Sequence, residues 1–136
     1  MALEGGCYCG AVRYRAEGPP MLKAQCHCRA CQHITGGAPN YFMLMPVAGF
    51  SWTKGEPKSF TKPDKADAVT RFFCGTCGTH LTTRRPGLDA VILKIGTLDA
   101  PADFGGPMIA IFTEEEQPFH LVPQGVPKFE KLPPQR

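Results

Sequence analysis

Cys26-His27-Cys28-Arg29-Ala30-Cys31 places three thiols within six residues. An extended backbone through Cys26 and Cys28 points both side chains the same way, because strand side chains alternate. A helical turn starting at Cys28 brings Cys31, three residues on, to the same face. The three sulfurs then converge on one point about the size of a metal ion. Three thiolates are one fewer than a closed tetrahedral zinc site requires, and an open fourth position marks a catalytic zinc. The stretch therefore predicts a strand end and a short helical turn through Arg29 to His33, stopped by Gly36-Gly37, with a metal between them.

The other four cysteines form two pairs, Cys7-Tyr8-Cys9 and Cys74-Gly75-Thr76-Cys77. Seven is an odd count, so full disulfide pairing would leave one thiol over. Flanking glycines allow the tight backbone that aims both sulfurs of a pair at one ion. A thioredoxin-type redox pair would want a helix after Cys74, which Gly75 and Gly78 oppose. The division that keeps every cluster whole puts Cys7, Cys9, Cys74 and Cys77 on one zinc, closed and structural. Cys26, Cys28 and Cys31 then hold a second, catalytic zinc, giving two Zn²⁺ per chain. Iron also suits an all-sulfur site.

Between the clusters the chain reads as short strands. Ala11 to Ala16 and Phe50 to Thr53 alternate, and Tyr41 to Met45 is an apolar run closed by Pro46. Lys58 to Phe60, Val69 to Phe73, His80 to Thr83, Ala90 to Ile95 and Met108 to Thr113 follow, separated by Gly and Pro turns. About eight short strands with little helix predict a single all-β domain over residues 1–136, mainly antiparallel. The Pro-rich segment from about 118 to 136 should wrap the surface without regular structure.

Composition narrows the function classes. With 43% hydrophobic and 20% charged residues, the chain is of ordinary globular type. No run approaches the ~18 apolar residues of a membrane helix, and the N-terminus lacks the basic start of a signal peptide. A cytoplasmic location is expected, where reduced thiols serve as ligands. The formal charge of +3 falls to zero once seven thiolates remove seven charges and two Zn²⁺ restore four. The basic sequence pI therefore implies no nucleic-acid partner.

Three thiolates on Zn²⁺ carry a net −1, which weakens the acidification of bound water and favours a soft fourth ligand such as a substrate thiol. The alternative is a second structural zinc completed by His27, His33, His80 or His120. Of these, His33 has the best reach, His27 should point away from the metal, and His120 reads as a surface residue. A deaminase would carry H-x-E and P-C-x-x-C, and neither occurs. Lys23, Arg29 and Arg71 flank the clusters and are candidate cations for substrate carboxylates.

Gly6-Cys7-x-Cys9-Gly10-Ala11-Val12, Cys26-x-Cys28-x-x-Cys31 and Phe73-Cys74-x-x-Cys77-Gly78-Thr79 together resemble the glutathione-dependent formaldehyde-activating enzymes. These are also called S-(hydroxymethyl)glutathione synthase-like proteins and are grouped with centromere protein V. Gly96-Thr97-Leu98-Asp99, Ile111-Phe112-Thr113 and Gly125-Val126-Pro127-Lys128-Phe129-Glu130 extend the resemblance over nearly the whole chain. It implies a β-tent fold, a structural zinc on the outer pairs, a catalytic zinc on the triplet and carbon–sulfur lyase chemistry joining glutathione to formaldehyde. Ala110 and Phe119 stand where members often carry His and Trp. The competing expectation is a non-enzymatic two-zinc module that binds a protein partner.

Overall fold

Tyr14 and Ala16 are fully buried while Arg15 and Glu17 face solvent, the period-two pattern of a strand with one wet face. In the computed structural model, which describes residues 2–134, this strand is β2 (Arg13–Glu17). It lies between β1 (Ala2–Gly6) and β5 (Phe50–Lys54) in a three-stranded antiparallel sheet. The larger sheet has seven strands. In chain order they are β3 (Leu22–Cys26), β4 (Asn40–Pro46), β6 (Lys58–Thr61), β7 (Thr70–Phe73), β8 (His80–Arg84), β9 (Ala90–Lys94) and β10 (Ile109–Ile111). Their spatial order is β10-β3-β4-β9-β8-β7-β6, antiparallel except for β10 against β3. The one α-helix among the described residues, α1, spans Arg29–Thr35. Among the described residues no helix is long and apolar enough to cross a membrane.

The two faces of the large sheet do different things. One face gives Met43, Met45, Leu81 and Leu93 to a core shared with Leu3, Tyr14 and Ala16 of the small sheet. Each such buried side chain contributes roughly 1.5–3 kcal/mol. The opposite face gives Ala24, Cys26, Phe42 and Ile111 to a second apolar cluster around Cys31. Side chains from neighbouring strands align there in rows: Leu44, Ile92, Thr83 and Arg71 in one, Ala24, Phe42 and Lys94 in the next, Cys26 and Asn40 in a third.

Ten strands exceed the eight expected. The additional ones are β1, whose Gly5-Gly6 carries little strand propensity, and most of β3. The expected strand from Met108 to Thr113 shortens to three residues because Phe112 adopts a left-handed φ of 54°, a conformation uncommon for a bulky residue. The tail has no strand of its own among the described residues; Gln135 and Arg136 of that segment, and Met1, lie outside them. It nevertheless bonds along β10: Ala110 N–H donates to the Pro127 carbonyl at 2.9 Å and Phe129 N–H to the Ala110 carbonyl at 2.9 Å. The edge of the large sheet is thereby covered.

Tyr14 joins the sheets. Its ring stacks on Phe50 at 5.5 Å and meets the edge of Trp52 at 6.3 Å. Thr97 spends its one hydroxyl proton on the Lys94 carbonyl at 2.7 Å, so the Tyr14 hydroxyl donates to Thr97 Oγ1, also at 2.7 Å. Burial pushes the Tyr14 phenol up to about 12. A methyl group at Gly5 would lie 2.3 Å from the Thr97 carbonyl oxygen and 2.4 Å from the Tyr14 hydroxyl, so only glycine lets β1 approach so closely. Gly5→Ala should lower the urea unfolding free energy by about 1–3 kcal/mol, the usual cost of overpacking. An unchanged urea midpoint would contradict this packing.

Candidate metal centres and the adjoining pocket

Cys7 follows β1 and Cys74 follows β7, and the two loops have matching backbone bonds. Cys7 N–H donates to the Val12 carbonyl and Gly10 N–H to the Cys7 carbonyl; Cys74 N–H donates to the Thr79 carbonyl and Gly78 N–H to the Cys74 carbonyl. Gly10 at φ 82° and Gly78 at φ 79° supply the left-handed turns. The loops face each other, with Cys9 Sγ 3.7 Å from both Cys7 Sγ and Cys74 Sγ. All four sulfurs lie within 4.8 Å of one another. Four Zn–S bonds of about 2.3 Å in a tetrahedron put the sulfurs about 3.8 Å apart, so the donor set fits a closed four-coordinate ion. Val12 N–H on Cys7 Sγ at 3.2 Å favours the Cys7 thiolate, and Thr76 and Cys77 N–H donate to Cys74 Sγ at 3.3 and 3.4 Å. The Thr79 hydroxyl, 3.1 Å from Cys77 Sγ, leads the interactions that bring that thiol down to about 5.

The second cluster forms where β3 turns into α1. Cys26 ends the strand, Cys28 is the N-cap residue, and Cys31 sits in the first turn. Cys28 Sγ accepts the Cys31 N–H at 3.3 Å, in the role an Asp or Ser oxygen usually plays. Gly36, at φ 85°, closes the helix with its N–H on the Gln32 carbonyl. The three sulfurs lie within 4.8 Å of one another. Contacts with Cys26 and Cys31 favour the Cys28 thiolate and bring it down to about 2, while the same contacts push Cys26 up. Both clusters can therefore hold a metal ion. The second offers three donors, and among the described residues no histidine joins it. His33, the best-placed candidate in the sequence, is exposed and donates from Nδ1 to the Arg29 carbonyl at 2.9 Å.

His27 does point away from the sulfurs, into a buried chain. His120 Nε2 faces the Gly37 carbonyl at 2.7 Å and must donate to it. His120 Nδ1 then accepts, from Gln117 N–H at 3.1 Å and from His27 Nδ1–H at 3.0 Å. His27 Nε2 in turn accepts from the Gln25 amide at 3.0 Å. Burial and the neighbouring His120 hold His27 below the usual imidazole range. His120 was expected at the surface and is instead 8% exposed. It pins the tail to the residue between two candidate ligands. Gln32 adds bonds from its amide to the His27 and Glu115 carbonyls at 2.8 and 2.9 Å.

The three-sulfur cluster lines a cavity of about 490 Å³. Phe42, Ile92, Ile111 and Phe112 give it an apolar wall. Five cations border it, Arg29, Lys65, Arg71, Arg85 and Lys94, against the two acids Asp67 and Glu115. A second trough shares Arg29, Lys65 and Arg71 and continues to Lys62. Arg29 and Arg71 thus stand where the sequence suggested. Lys23 does not border the cavity: it pairs with Met43, whose side chain belongs to the inter-sheet core. Lys65, Thr83, Arg85 and Lys94 escaped the sequence reading. Lys94 left a signal, as the one charge in the apolar run Ala90-Val91-Ile92-Leu93-Lys94-Ile95.

Residues 2–115 match the family described as glutathione-dependent formaldehyde-activating enzyme. A Halomonas elongata protein named "Putative glutathione-dependent formaldehyde-activating enzyme" is 33% identical over 86 residues, 60% of this chain and 55% of that protein. The chain thus spans about half the length of that relative. A crystal structure of a Rhodobacter sphaeroides protein superposes with a TM-score of 0.60 at 19% identity, over 75% of this chain and 94% of that one. The structural likeness concerns the fold alone. The matched span contains all seven cysteines, and the chain belongs to the glutathione-dependent formaldehyde-activating enzyme family.

Proposed function

We propose that the protein holds two zinc ions per chain and joins a thiol to an aldehyde, with glutathione and formaldehyde the pair that the family's name specifies. The reaction is a carbon–sulfur lyase step run in the bonding direction. The thiol sulfur forms a bond to the carbonyl carbon, the C=O π bond breaks, and the thiol proton ends on the oxygen as a hydroxymethyl group. The observation that carries this reading is the contrast between the clusters. The four-sulfur set has a full complement of donors and borders no part of the cavity beside the triplet. The three-sulfur set is one donor short and opens onto it.

Zn²⁺ held by Cys26, Cys28 and Cys31 would supply a soft Lewis-acidic position that keeps an entering thiol in its nucleophilic thiolate form. The chain's own residues do the rest. The Cys31 N–H orients Cys28, and the buried His27–His120 pair fixes the residue between Cys26 and Cys28. Phe42, Ile92, Ile111 and Phe112 exclude water from one side of the reacting atoms. Arg29, Lys65 and Arg71 surround the cavity and draw in a substrate that carries carboxylates. A non-enzymatic module would need a fixed fourth donor at the triplet, and the cluster contains none among the described residues.

Metal analysis of the purified protein should return about two zinc ions per chain, from the ligand count of four and three. Cys74→Ser should unfold or aggregate the protein, because metal binding at a closed site is folding free energy. Cys28→Ser should stay folded with one zinc lost; equal destabilisation by both variants would make both sites structural. In the cobalt-substituted protein, millimolar glutathione should intensify the sulfur-to-cobalt charge-transfer band, and less so in Cys28→Ser. An unchanged spectrum would remove the thiol-binding reading.

A further inference from the structure

Lys94 is 7% exposed and Thr83 3% exposed, and both border the cavity beside the three-sulfur cluster. Among the described residues Lys94 pairs with no carboxylate, although its charge interacts with the cluster sulfurs, and Thr83 Oγ1 is buried with no hydrogen-bond partner. Thr83 pairs with Ile92 across β8 and β9, so Lys94, two residues further along β9, is its diagonal neighbour on the same face. Arg71 pairs with Thr83 from the other side. The surrounding wall is apolar, formed by Phe42 and Ile92. A buried cation and a buried hydroxyl are both costly without partners, and here both border the same empty volume.

We propose that Lys94 and Thr83 form an anion subsite that takes a carboxylate of the substrate thiol, making these residues the specificity determinants that select acidic thiols over neutral ones. The inference rests on the thiol-binding reading above. A carboxylate has only acceptor oxygens, so one group satisfies both the Lys94 ammonium and the Thr83 hydroxyl. A neutral alcohol at the same place would leave the lysine charge unmatched. Position in the rows supports this: Lys94 is one row from Cys26 on the same sheet face. A small molecule could therefore reach the sulfur cluster with its thiol and Lys94 with its acid.

Three probes separate the possibilities by calorimetric titration into the zinc-loaded protein: 3-mercaptopropionate, 2-mercaptoethanol and propionate. The expected result is binding of 3-mercaptopropionate at least about tenfold tighter than 2-mercaptoethanol, the usual scale of a charge-assisted hydrogen bond. Lys94→Met should abolish that preference by weakening 3-mercaptopropionate while 2-mercaptoethanol still binds; Thr83→Val should reduce it severalfold. No preference in the unmodified protein overturns the proposal. So does a zinc-loaded Lys94→Met variant that keeps the preference, since Lys94 would then serve the thiolates alone. If Lys94→Met fails to fold, Thr83→Val decides by the same criterion. Propionate binding as tightly as 3-mercaptopropionate, and depending on Lys94, would keep the anion subsite while removing the thiol from the reading.

Discussion

Cys9 and Cys74 stand 65 positions apart in sequence and 3.7 Å apart at sulfur. That approach joins the loop after β1 in the small sheet to the loop after β7 in the large one. Closing a loop of that length costs about 4 kcal/mol of chain entropy in a simple cross-link treatment. A metal shared by the four thiolates, as proposed, would offset that cost and hold the sheets at the spacing that Tyr14 and Gly5 require. The hydrophobic layer between the sheets is then free to be thin: small Ala16 and Gly5 beside large Tyr14, Met43 and Met45.

With one face of the large sheet committed to that layer, the other is left for chemistry. It faces no second sheet. It is covered by α1, the 3-10 turn at Thr113–Glu115 and the tail. Phe112, at its left-handed φ, redirects the chain from β10 into that turn, where the Glu115 carboxylate accepts the Arg29 N–H at 2.9 Å. The tail closes the circuit through His120, Gln117 and Leu121, which bond to His27, Gln32 and Gln25. The geometry of the three sulfurs therefore depends on residues almost a hundred positions away. A truncation before His120 would leave His27 Nδ1 without its partner and remove the Leu121 carbonyl that accepts from Gln25.

Much of this was legible in the sequence because thiol spacing is a local property. Cys26, Cys28 and Cys31 converge on any strand-to-helix turn, and Gly10 and Gly78 mark the paired loops. The strands from Tyr41 to Met45 and from Ala90 to Ile95 announced themselves as apolar runs. What escaped is set by non-local pairing. β1 contains Gly5-Gly6 and becomes a strand only because Tyr14 and Thr97 need a residue without a side chain beside them. The parallel pairing of β10 with β3 has no local signature. His120 looked like a surface histidine because its partners, Gly37 and His27, are distant in sequence. Lys94 stands out as the one charge in its apolar run, but its meaning depends on Thr83 from the adjacent strand and Cys26 from two strands away.

In the proposed chemistry one metal position is closed by the protein and the other is completed by a substrate thiol. X-ray absorption fine structure at the zinc edge counts sulfur neighbours directly. The expected average is about three and a half sulfurs per zinc in the protein alone, with a lighter atom making up the rest, rising to about four when glutathione saturates the site. A value of four before any thiol is added, or an average that does not rise with glutathione, would contradict it.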